Sequence, residues 1–147
     1  MVSEVYYDAF GTEPDEEWIE LYNAGAATID LTGFKVGDEE TQGSSTEGMM
    51  AFPIGASVAP GQVIVIANKA TAFFALYGFD PDYELVESSG SVPNLTKYSG
   101  WATGAVELSN SGDEVLILDA ADGIVDALSW GSSDWAFDPP KIGRAHV

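Results

Sequence analysis

The chain has 147 residues, 24 acidic against 5 basic, for a formal net charge of −19. Such an excess repels phosphate backbones and anionic headgroups, and no apolar run nears the roughly 20 residues of a membrane helix, so neither nucleic-acid binding nor membrane insertion is expected. Cysteine is absent, which excludes disulfides, thiolate metal sites and thiol nucleophiles, while 46% hydrophobic residues suffice for a packed core in a single domain.

Short β-prone runs separated by turn chemistry follow one another along the chain, the pattern of an all-β sandwich. Val2 to Asp8 is the first. Glu17 to Asn23 is the second, and its alternation sets Ile19 and Leu21 towards a core and Trp18, Glu20 and Tyr22 outward. Thr28 to Val36 breaks at Thr32-Gly33, a corner where the chain can change sheets. Residues 37–50 are polar and glycine-bearing and read as an exposed loop. Phe52 to Val58 is a weak strand, and Gln62 to Asn68 is the most β-prone run and a central strand.

Residues 69–77 switch to helix formers, with Phe73, Phe74 and Tyr77 at helical spacing and Gly78 as a stop, so one short helix is expected there. Tyr83 to Glu87 reads as an edge strand, and 88–104 as a long irregular stretch, a type that tends to be functional or disordered. Ala105 to Ser109, Glu114 to Leu118 and Ile124 to Trp130 read as strands joined by turns at Asn110-Ser111-Gly112 and Ala121-Asp122-Gly123.

Several strings are more specific. Ser3-Glu4-Val5-Tyr6-Tyr7-Asp8, Glu17-Trp18-Ile19-Glu20-Leu21-Tyr22-Asn23, Asp30-Leu31-Thr32-Gly33-Phe34-Lys35-Val36, Leu108-Ser109-Asn110-Ser111-Gly112-Asp113-Glu114-Val115 and Asp122-Gly123-Ile124-Val125-Asp126-Ala127-Leu128-Ser129-Trp130 resemble the successive motifs of prokaryotic lamin-tail domains, in order. The resemblance spans residues 2–131. It implies an immunoglobulin-like antiparallel β-sandwich acting as a non-catalytic protein-interaction or adhesion module of a larger secreted or cell-surface protein. It carries no catalytic residues. Some nuclear relatives bind DNA, a role the sparse basic residues here oppose.

Residues 132–141 form a C-terminal extension. Residues 142–147 lack strand or helix patterning and resemble the peptide encoded by one frame of a common sequencing adapter, so they read as a non-native tail. Without that tail the chain has neither arginine nor histidine, which removes the bases that serine and cysteine nucleophiles need and leaves no expected enzymatic activity.

Two kinds of binding site remain open. Trp18, Glu20 and Tyr22 share one strand face, where aromatics flanking a carboxylate can stack on a sugar ring; the alternative is that a neighbouring segment covers them, with Lys35 pairing Glu20. Tyr98 and Trp101 in the long loop either anchor a protein partner or pack beneath the loop. Trp130, Trp135 and Phe137 are expected to pack the last strand's exit. The sequence implies no cofactor except calcium, which carboxylate-rich loops can hold. Its candidate ligands are Asp15 and Glu16, with Glu13 and Glu17, in the first loop, and Asp38 and Glu39, with Glu40, in the third; none has EF-hand spacing, and Asp119 to Gly123 is an ordinary hairpin turn.

Overall fold

The structure, a computed structural model, describes residues 1–136. Phe137 and the 142–147 tail therefore lie outside the described residues. The strands are β1 (Val2–Tyr6), β2 (Trp18–Tyr22), β3 (Ile29–Asp30), β4 (Lys35–Gly37), β5 (Met49–Ala51), β6 (Ser57–Val58), β7 (Val63–Ala67), β8 (Tyr83–Glu84), β9 (Thr96–Lys97), β10 (Gly112–Leu118) and β11 (Ile124–Gly131), with one helix, α1 (Ala70–Tyr77). They form a four-stranded sheet in the order β1-β2-β7-β8, a five-stranded sheet in the order β11-β10-β4-β5-β9, and a small β3-β6 pair. All named pairings are antiparallel except β7 with β8.

The two large sheets face each other as a sandwich. Ile19, Leu21, Ile64 and Ile66 come from one sheet and Val36, Met50, Val115, Ile117 and Trp130 from the other, all buried in one cluster. Period-two alternation produces this: in β2 Ile19 and Leu21 are buried while Trp18, Glu20 and Tyr22 are half-exposed. The corner at Thr32-Gly33 carries the chain from the small pair into the five-stranded sheet, with Gly33 at φ 78°. Helix α1 starts one residue later than expected and ends at Gly78, whose φ of 79° lets its amide close on the Phe74 carbonyl.

Three expectations need correction. The 37–50 segment is not a simple exposed loop, because Gly37, Asp38 and Glu39 are buried at one end and Gly48, Met49 and Met50 at the other. Residues 52–58 supply only the two-residue β6, the pairing having moved to Met49–Ala51. Residues 105–109 are not a strand: Ala105 makes one bridge to Glu47, and the amides of Glu107, Leu108 and Ser109 bond to side chains rather than to a neighbouring strand.

The long 88–104 stretch has a structural task. On β10, Val115 and Ile117 enter the main core, whereas Leu118 packs outward into a second cluster with Met49, Trp101 and Ala102. The strand is thus buried on both faces, which explains its continuous apolar run. Trp101, 8% exposed, seals that outer face and donates its indole N–H to the Glu39 carbonyl at 2.8 Å. Backbone bonds from Gly43 to Trp101, Thr103 to Ser44 and Gly104 to Glu47 fasten the stretch to the 41–47 loop. Trp101→Ala should therefore lower stability by about 3–5 kcal/mol in urea denaturation, the usual cost of emptying a buried aromatic site; a loss below about 1 kcal/mol would show that the loop does not depend on this ring.

Candidate functional site

The outward face of β2 and the helix together build one aromatic surface. Trp18 stacks on Tyr6 with ring centroids 5.8 Å apart, and Phe73 and Tyr77 of α1 stand edge-on to it at 6.3 and 6.2 Å. Its indole N–H donates to the Tyr77 hydroxyl at 3.1 Å. Phe79, just beyond the helix, packs edge-on against Phe73 at 5.3 Å. The sequence of α1, Ala-Thr-Ala-Phe-Phe-Ala-Leu-Tyr, is apolar all round, yet only Ala70 and Phe73 are buried. Phe74, Leu76, Tyr77 and Phe79 are 50%, 47%, 43% and 57% exposed, four large apolar side chains left in solvent around one short helix and its end, where apolar exposure marks an interaction site.

The other candidate side chains divide between structural tasks and an acidic cleft. Glu20 accepts a hydrogen bond from the Ser3 hydroxyl at 2.7 Å and is not paired with Lys35. Lys35 lies in the opposite sheet, where its ammonium sits 2.5 Å from Asp122 and 4.6 Å from the centre of the Tyr98 ring. Tyr98 is half-buried and donates its hydroxyl to Asp122 at 2.8 Å, so it and Trp101 hold the long stretch down. Tyr22 shares the outward face of β2 but has no ring partner among the described aromatic pairs, which leaves Trp18 as the β2 member of the aromatic surface. Trp130 is buried, stacks on Tyr7 at 4.7 Å and donates to the Ser109 carbonyl, as expected for the last strand's exit, whereas Trp135 is 42% exposed.

Of the four acids expected as calcium ligands, Asp15 instead pairs with Lys69 at 2.8 Å, and the Glu16 carboxylate lies against Gly11. Asp38 is fully buried and accepts the amides of Gly48 and Glu107, both at 2.8 Å. Glu17, also buried, accepts the Leu108 amide at 2.9 Å, and Asp113 accepts the Ser109 amide at 2.7 Å. Three carboxylates, Glu17 just before β2, Asp38 just after β4 and Asp113 in β10, thus hold residues 107–109. Burial pushes Asp38 up to about 8 and Glu17 up to about 7 against the lowering effect of these bonds, and raises Asp113 as well.

Glu39 alone of the four lines a cleft of about 390 Å³, together with Glu40, Glu47, Asp113, Glu114 and Trp135. Carboxylate oxygens of Glu39, Glu40 and Glu47 lie within 4.8 Å of one another, as do those of Glu47, Asp113 and Glu114. None of the three ion pairs among the described residues reaches this cluster. Its members divide by their hydrogen bonds. Glu39 is buried, but hydroxyl bonds from Ser44 and Thr46 and the amides of Thr41 and Glu47 hold it below the ordinary carboxylate range. Burial pushes Glu47 up to about 7, and burial with the proximity of Glu40 does the same for Glu114. Repulsion within such a group of carboxylates can be relieved by protons or by a hard divalent cation.

Sequence reasoning missed Glu47, Asp113 and Glu114 because strand pairing, not local spacing, brings them together. A signal did exist: Asp113 shares the inward parity of Val115 and Ile117, and Glu17 that of Ile19 and Leu21, so acids occur where the alternation demands burial.

An antiparallel sandwich closed at one end by buried carboxylates, with a single helix laid on an outer face, defines an immunoglobulin-like domain. The chain belongs to the lamin tail domain family, whose model matches residues 1–132. This family is one of immunoglobulin-like domains, consistent with a non-catalytic module. No curated protein matches the chain.

The acids set a pH dependence whose sign follows from their shifts. Glu17, Asp38, Glu47 and Glu114 bind protons more tightly folded than unfolded, so their influence makes stability fall as pH rises from their ordinary values near 4.5 or 3.8 through about 7–8. Glu39, Glu84 and Asp122 are shifted the other way, and their contribution is present above their ordinary values and lost as pH falls through their lowered ones. The melting temperature at fixed 150 mM salt should therefore peak near pH 5 and fall by roughly 5 °C or more by pH 8.5. A melting temperature that is flat or rising over that interval would contradict the assignment.

Proposed function

We propose that the domain is a non-catalytic protein-interaction module of a larger secreted or cell-surface protein, and that it engages its partner through the aromatic surface of α1 and β2. The observation that carries this reading is the helix itself. A helix apolar on every side is at home inside a protein or against one, yet α1 buries only Ala70 and Phe73 and leaves Phe74, Leu76 and Tyr77 in solvent. Membership of the lamin tail domain family, one of immunoglobulin-like domains, supports the non-catalytic part. The net charge of −19 opposes nucleic acids and anionic membranes as alternatives. The side of Trp18 that faces the helix is walled by Phe73 and Tyr77, which favours a protein partner over the sugar-stacking alternative.

The test is capture from the cell-envelope fraction of the source cells by the immobilised domain. The doubly substituted Leu76→Ser, Phe79→Ser variant alters exposed side chains only and should retain its circular dichroism spectrum while losing at least 90% of the captured partner, an estimate based on truncation of interface anchors. Ile54→Ser, at a residue 93% exposed and outside this surface, should capture as the unmodified domain does. Equal capture by both variants would dismiss the reading.

A further inference from the structure

Beside α1 runs a groove of about 320 Å³ lined by Ala70, Thr71, Phe74, Asp80 and Ser89. We propose that it receives a lysine or arginine side chain from a basic peptide segment of the partner, with the Phe74 ring against the cation and Asp80 as its counter-ion. The inference rests on the reading of α1 as the interaction surface and adds the chemistry of what binds there.

The lining suits that side chain. Ala70 and the half-exposed Phe74 ring offer an apolar path for an alkyl stem, and an aromatic face attracts the charged head. Asp80 is exposed and has neither a hydrogen bond nor an ion pair through its carboxylate among the described residues. Behind the groove lies a second negative charge. Glu84 is fully buried and accepts the amides of Ala70, Ser88 and Ser89 at 2.9, 3.1 and 3.1 Å. Two of those donors, Ala70 and Ser89, line the groove. Although burial opposes ionisation, its bonds to Ser88, Ala70 and Ser89 hold Glu84 below its ordinary range, so it is charged at neutral pH.

No cation of the described chain supplies the missing charge. Lys35 is paired with Asp122, Lys69 with Asp15 and the Met1 ammonium with Asp126, and Lys97 donates to the Thr103 carbonyl. In a molecule of net charge −19, a cationic partner segment gains from the whole field as well as from the groove, whereas a second copy of the chain would be repelled. The fold already uses the same combination internally: Lys35 lies over the Tyr98 ring, 4.6 Å from its centre, with Asp122 as counter-ion.

Fluorescence anisotropy with two labelled decapeptides separates this site from diffuse attraction. One carries five arginines spaced by glycine and serine, the other five glutamates in the same places, both in 150 mM salt. The arginine peptide should bind saturably and the glutamate peptide should not. Phe74→Ala and Asp80→Asn should each weaken arginine-peptide binding about fivefold, the scale of a cation–aromatic contact. Glu4→Gln, which removes one exposed charge from β1, should change it less than about twofold. Absence of saturable binding, or equal effects of Asp80→Asn and Glu4→Gln with none from Phe74→Ala, would overturn the proposal. Partner capture that still depends on Leu76 and Phe79 while the arginine peptide fails would remove the groove's occupant alone. Capture indifferent to those residues would remove the interaction reading itself, whatever the peptides do.

Discussion

The end of the sandwich is held by buried carboxylates acting as acceptors for backbone amides that have no strand to pair with. Glu17, Asp38 and Asp113 each continue the inward-facing register of a strand, in line with Ile19, Val36 and Val115. Between the sheets at that end passes the 105–109 segment, burying Val106 and Leu108 in the core. A segment there must satisfy its amides or lose free energy on the order of 1–3 kcal/mol for each orphan. The three acids bond to the amides of residues 107, 108 and 109, and the Asn68 side chain donates to the Val106 carbonyl.

This arrangement links composition to folding. Acidity is not confined to a solvated shell, because Glu17, Asp38, Glu39, Glu84, Asp113 and Glu114 are all buried. Each has hydrogen-bond donors, but none is in an ion pair among the described residues, the buried Lys35 being paired with the half-buried Asp122 instead. Where donors are plentiful, as at Glu39 and Glu84, the charge is stabilised. Where burial outweighs them, as at Asp38 and Glu17, the acid holds its proton towards neutrality and folding becomes sensitive to pH. The same end of the molecule carries the acidic cleft, while the aromatic surface lies on the outward side of the four-stranded sheet, where Glu84 alone of the buried acids accepts an amide of α1, that of Ala70.

What the sequence revealed follows from the range of the physics. Alternation identified β2 and its core residues, helical spacing and Gly78 identified α1, and the Asp122-Gly123 turn located the β10-β11 hairpin, because each signal is local. The acceptors for residues 107 and 108 lie 69 and 91 positions away along the chain, beyond any local pattern. Trp101 stood in a polar stretch with no periodicity to indicate that it faces inward, and only the second cluster around Leu118 explains its burial. Trp18 was read correctly as outward-facing, but the helix that lies against it is joined to it by tertiary packing alone.

The most direct measurement of the central claim is native-state amide hydrogen exchange at Glu107, Leu108 and Ser109. These residues lie outside the strands, and an unbonded irregular segment exchanges quickly. If the carboxylates of Asp38, Glu17 and Asp113 hold them, their amides should be protected nearly as well as those of Ile64 and Ile66 in β7, and Asp38→Ala should release Glu107 first. Exchange at the rate of exposed loop amides in the unmodified domain would contradict the account.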